Sequence, residues 1–169
     1  MESTRQVSCC EAVNNSIGTY YTNQSLITAA GAVKLAELFA GDQQQYTARS
    51  LVIFSFLEAL NVAILAKFAS FDLCEDDCCA SAATAVQRIG NAYAENIITA
   101  VASTAFTLEQ LNNIVQALVT GYTNALNSIV LDGGCGDCDR DDRHCGRKSC
   151  HGNHSSRDRK DRKERRDRK

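Results

Sequence analysis

Apolar residues recur at steps of three and four along the first 131 positions, the period of a helix packed on one side. The clearest run comes last. Leu108, Leu111, Val115, Leu118, Tyr122, Ala125 and Ile129 share one face, and Ile114, Val119, Leu126 and Val130 widen it beyond a two-stranded seam. Thr107 and Gln110 have capping-box spacing at its start, with Phe106 and Leu111 placed for a hydrophobic staple. The sequence Asp132-Gly133-Gly134 predicts its end, because glycine takes the left-handed conformation that closes a helix.

The same pattern predicts the elements upstream. Val86, Ile89, Tyr93, Ile97 and Val101 form the stripe of a helix running roughly from Asp76 to Ser103. Glu75, Asp76 and Asp77 place negative charge at its N-terminus, which suits the helix dipole. Asp42 with Gln45 predicts a cap for a helix of about 27 residues ending near Ser70. Ser25 predicts a cap for a helix from Leu26 to Ala40, and Cys10, Val13, Ile17 and Tyr20 or Tyr21 predict a shorter first helix. The expected fold is all-α, an antiparallel bundle of four to five helices joined by short loops. Absence of proline fits long uninterrupted helices.

One run changes that picture. SLVIFSFLEALNVAILA, residues 50–66, is 17 residues long and lies between Arg49 and Lys67, at the lower edge of a membrane-span length. Glu58 stands at its centre and Asn61 follows one turn on. A carboxylate at mid-membrane costs roughly 2.5–3.5 kcal/mol on insertion scales. A helix apolar on most sides is also what the middle of a bundle requires. The expectation is therefore a central core helix and no membrane partner. Glu58 then either faces outward or meets a buried partner such as Arg88.

Charge divides the chain. Residues 1–131 hold five Lys/Arg against eleven Asp/Glu, a net of −6, while residues 132–169 hold thirteen against nine, a net of +4. After Leu131 almost no apolar residue remains, so the tail is expected to be disordered, or ordered only by a metal or partner. Three parts follow: a helical body over 1–131, a Cys/His-rich hinge over 132–156 and a charged basic tail over 157–169. The tail carries Arg157, Arg159, Lys160, Arg162, Lys163, Arg165, Arg166, Arg168 and Lys169 against four acids. These cations are the candidate contacts for nucleic acid or an acidic protein, although the interleaved acids repel phosphate and no aromatic is present to stack a base.

The nine cysteines fall into three groups. Cys9, Cys10, Cys74, Cys78 and Cys79 read first as small buried apolar side chains, next as disulfide candidates within or between chains, and last as metal ligands. The vicinal pairs cannot close on themselves without strain, so each member looks elsewhere. An odd total leaves one thiol over, or bonds it between molecules. The third group is Cys135, Cys138, Cys145 and Cys150, with His144, His151 and His154 as alternative ligands. Cys135-x-x-Cys138 is a chelating half-site, and mixed thiolate and imidazole donors favour zinc. The histidine spacing departs from that of zinc knuckles. Metal binding, oxidative cross-linking and plain disorder with reduced thiols all remain open for this stretch.

The body has no histidine, no Ser/His/Asp set and no glycine-rich phosphate loop, which argues against an enzyme. The first residues lack the apolar region of a secretory signal, so synthesis and retention inside a cell, with incorporation into a coat or particle, is the expectation. In composition the tail resembles the Arg/Lys-rich, Cys-bearing tails of bacterial endospore coat proteins, over about a quarter of the chain. That resemblance implies a protein that assembles into a layer and is then cross-linked. The leading expectation is a non-enzymatic structural protein. It self-assembles as a homo-oligomer through its helical body and is locked by disulfides or metal. The alternative is a nucleic-acid-binding protein with a zinc-knuckle-like element and a basic C-terminal arm.

Overall fold

A computed structural model of the chain describes residues 9–71 and 79–129. Among the described residues there are four α-helices and no strand: α1 (Cys9–Leu38), α2 (Gln43–Ala69), α3 (Cys79–Val101) and α4 (Leu108–Ser128). The side-chain pairs that meet give their directions. Gln24 reaches Asn61 while Phe39 lies under Arg49, so α1 and α2 run antiparallel. Gly90 abuts Tyr20 and Gly31 abuts Ile98, so α1 and α3 run parallel. Phe56 and Tyr93 both stack on Tyr122, edge to face, at 5.8 and 6.0 Å between ring centroids. The chain thus goes up, down, up and down, with connections of four, nine and six residues between the helices.

Helix α3 is the hub and packs on all three of the others, whereas α1 and α4 do not meet. The α1–α3 contact is the most extensive, and α1 touches α2 least. Glycine makes the first of these possible. A methyl group at Gly31 would overlap the Ile98 side chain, and one at Gly90 would sit 2.8 Å from Tyr20 Cδ2 and 3.0 Å from Ile64 Cδ1. Without a Cβ at either position the two helix axes can close on each other. The core between the helices is built from Val13, Tyr20, Leu35, Ile53, Phe56, Leu60, Ile64, Phe68, Val86, Ile97, Val101, Leu111 and Leu126.

The caps predicted for α2 and α4 form. Asp42 accepts from the Gln45 amide at 3.0 Å. Thr107 Oγ1 accepts from the Gln110 amide at 3.2 Å, and Gln110 Oε1 accepts from the Thr107 amide at 2.9 Å. Two expectations are corrected. The separate first helix and the Ser25 cap do not occur; α1 is one helix of 30 residues that runs through Ser25. Its inner face, Val13, Ile17, Tyr20, Gln24, Ile27, Gly31 and Leu35, keeps steps of three and four toward the core, and that burial outweighs the weak propensity of Gly18 and the threonines. Helix α4 ends at Ser128, short of the glycines, because Ile129 turns extended (φ −80°, ψ 102°) and its amide closes on the Leu126 carbonyl.

A third correction concerns α2. The sequence predicts α2 as the central core helix, whereas α3 makes the most extensive contacts with the other helices. One side of α2 is buried through Ile53, Phe56, Leu60, Ile64 and Phe68. The other side carries Leu51, Phe54, Val62 and Leu65, which are 59, 67, 66 and 40 % exposed. Of the two possibilities for Glu58 the outward one holds, and Arg88 on α3 is exposed as well.

Candidate functional site

Because α1 leans on α3, its contact with α2 opens into a groove of about 1070 Å³. Leu35, Ile53 and Leu57 form the inner apolar surface. Ser25, Ala29 and Ala32 give α1 a wall of small side chains, and Leu51, Phe54, Val62 and Leu65 give α2 a wall of large ones. The walls differ because α1 spends its bulky residues on the α3 side, while α2 is apolar on both sides.

Toward one end the groove carries a polar rung. Asn61 Oδ1 accepts from the Tyr20 hydroxyl at 2.6 Å and from Gln24 Nε2 at 2.7 Å, and Gln24 Nε2 also donates to the Tyr20 oxygen at 3.0 Å. Three polar groups on two helices are thereby satisfied at a largely apolar seam. Burial pushes the Tyr20 hydroxyl well above its ordinary value, and the neighbouring Tyr21 adds to the shift. Tyr20 is therefore a hydrogen-bond donor and not a base at neutral pH. Midway along, Thr28 Oγ1 is buried without a hydrogen-bond partner. Glu58 stands in the middle of the α2 wall and is the one carboxylate among the groove-lining residues.

At the far end of α2 lies a second polar cluster, closed to ligands. Arg49 is 4 % exposed. It donates to the carbonyls of Val101 (2.9 Å), Ser103 (3.0 Å) and Phe106 (2.6 Å) and to Gln45 Oε1 (3.0 Å). Its guanidinium lies 4.5 Å from the Phe39 ring centroid. These bonds satisfy carbonyls left open where α3 ends, and the positive charge suits a helix C-terminus. Burial lowers the guanidinium from its usual value, but an arginine keeps its proton. Arg49 is a structural clamp. In the sequence it flanks the apolar run, and it falls in register with Ile53, Phe56 and Leu60.

The sequence-predicted site residues fall mostly elsewhere. Cys9 and Cys79 are the first residues of α1 and α3, and Cys10 is half-buried. Since those helices run parallel, both begin at the same end of the bundle. Cys74 and Cys78 lie outside the described residues, as do the proposed zinc ligands Cys135, Cys138, Cys145, Cys150, His144 and His151 and the basic run from Arg157 to Lys169. Among the described residues no three His, Cys, Asp or Glu side chains come together as a metal site. The groove was the feature the sequence pattern did not announce. Its signal was the double-sided apolarity of residues 50–66, which reads the same whether the second side is covered or bare. No protein-family model, no curated protein and no solved structure matches this chain.

Proposed function

We propose that this chain is a non-enzymatic structural protein that associates with itself through its helical body and is then locked through its cysteines. The observation that carries the proposal is the outward face of α2. Four large apolar side chains stand in solvent along one helix, beside an apolar groove. Contiguous apolar surface of that kind marks an interaction surface more often than a bare exterior. The cysteines add the second step. Cys9, Cys10 and Cys79 belong to the helix starts that share one end of the bundle. The segment with Cys135, Cys138, Cys145 and Cys150, flanked by His144 and His151, would take zinc or form cross-links. A coat or shell layer is the kind of assembly this suits.

Native mass spectrometry of the full chain, with and without reductant and with and without chelator, tests the proposal. The expected result is an oligomer that survives reductant, and covalent links between chains that do not. A monomer under every condition overturns it. The nucleic-acid alternative draws on the net charge of +5 over residues 157–169. It predicts salt-dependent binding to a polyanion whose slope falls when those residues are removed.

A further inference from the structure

We infer that the outer face of α2, with the groove beside it, is a twofold contact between two copies of this chain, in which α2 lies antiparallel to its counterpart with Glu58 on the axis. The inference rests on the self-association proposed above and assigns it a surface.

The first reason is the order of the exposed residues. Leu51 and Leu65 stand seven positions either side of Glu58, and Phe54 and Val62 stand four either side. Seven and four residues are close to two turns and one turn of helix, so all five fall on one stripe. In an antiparallel pair crossing at Glu58, each position before it meets the equally distant position after it on the other copy. Leucine then meets leucine twice, and phenylalanine meets valine twice. A twofold contact is self-complementary by necessity, and this stripe already has that symmetry. A groove serving an unrelated helix has no need of it.

The second reason is size. The groove wall on α2 runs from Tyr46 to Leu65, about 29 Å of helix at 1.5 Å per residue. Two neighbouring helices make a face about 20 Å wide. The footprint is roughly 600 Å² per copy, or ~1,200 Å² in all, which reaches the lower bound for a specific, stable interface. The small α1 wall at Ser25, Ala29 and Ala32 leaves room beside α2 for the partner's Phe54.

The third reason is charge, which separates a protein partner from a lipid one. Glu58 lies at the centre of the stripe, and Gln24, Ser25 and Thr28 line the facing wall. Hydrocarbon offers a carboxylate nothing, whereas a protein contact lets Glu58 keep water at its edge. The twofold does bring two carboxylates toward each other. Their repulsion holds the contact weaker than its apolar area alone would make it. It also gives the arrangement a signature that no other occupant shares.

The test uses the full chain, reduced and with chelator, in sedimentation velocity. Phe54→Asp removes a side chain that is mostly in water, so the helical circular dichroism should be kept. It should raise the dimer dissociation constant by about 100-fold. Glu58→Gln should lower it by on the order of fivefold. Wild type and E58K each carry a like-charge pair on the axis, so an equimolar mixture should form heterodimers well above the statistical half. A Phe54→Asp chain that dimerises like wild type overturns the assigned surface and leaves self-association standing. Heterodimers at the statistical share overturn the axis at Glu58. A wild-type chain that is monomeric and floats with phosphatidylcholine vesicles overturns the protein partner in favour of a membrane. A chain monomeric both reduced and oxidised, without flotation, takes the self-association down as well.

Discussion

Helix α1 has two neighbours and treats them differently. Toward α3 it presents Gly31 and the buried Tyr20 ring, and the helices close until a single methyl at Gly31 or Gly90 has no space. Toward α2 it presents serine, threonine and alanine, and the helices stay apart around a groove. Both seams involve the same helix, so helix propensity does not explain the difference. It lies in which side carries bulk. On the α3 side, knobs from one helix fill a gap left by glycine on the other. On the α2 side nothing in the described chain fills the gap, and α2 meets it with large side chains that remain in water. One seam is complete within a single copy, and the other has the composition of an interior without the cover.

The sharpest way to break this contrast is to place a leucine in each seam. Gly90→Leu should lower stability by about 3 kcal/mol, even after the roughly 1 kcal/mol that leucine gains over glycine in helix propensity. Ala32→Leu, on the open side, should stay within about 0.5 kcal/mol. Both belong on a Phe54→Asp background, so that association does not add to apparent stability. Urea denaturation reads the two values. Equal losses would mean that the groove is not open in solution.

Arg49→Met comes next in size. Methionine keeps much of the packing against Phe39 but leaves the carbonyls of Val101, Ser103 and Phe106 without their donor. The expected loss is about 2–3 kcal/mol, since these are charge-assisted bonds to partners that are hard to rehydrate. Amide exchange should quicken first at the α3–α4 turn and only later in α1. A uniform increase across all four helices would place Arg49 in the global core and not at a local clamp.

How much of this was legible follows from how local each signal is. The Thr107–Gln110 box and the Asp42 cap involve residues three apart and were read directly from spacing. So was the extent of α2, because no proline or glycine interrupts it. The continuity of α1 was not legible. Gln24 is buried toward α2 and Gly31 faces α3, yet neither looks apolar, so the sequence pattern breaks there. Gln24 is buried because Asn61, together with Tyr20, satisfies it, and Gly31 because Ile98 needs its space; Asn61 and Ile98 are distant in sequence. The place of α2 failed for a related reason. Hydropathy records that a side chain is greasy and not whether anything covers it, so a helix with one bare apolar face and an enclosed helix look alike. The cysteine and histidine sites beyond Leu131, which dominated the sequence reading, lie outside the described residues.

The smallest effect probes the rung joining the two seams, since Tyr20 packs against Gly90 on one side and bonds Asn61 on the other. Its hydroxyl is buried and its ionisation is pushed up, first by desolvation and then by Tyr21. The folded state therefore holds this proton above pH 10, where the unfolded chain releases it. The folded state then binds more protons than the unfolded one, so stability falls as pH rises. Its contribution is fully present below about pH 10 and is lost progressively above it. Tyr20→Phe should cost about 1 kcal/mol at neutral pH, because Gln24 and Asn61 still bond each other while one partner is lost. Above pH 10 the variant should lose stability less steeply than wild type, by one proton's worth of slope. Tyr122, whose hydroxyl burial also raises, stays in both proteins, so the difference between the two curves belongs to Tyr20. If the curves run parallel through the alkaline range, the hydroxyl is reached by water, and the rung is part of the open groove and not its boundary.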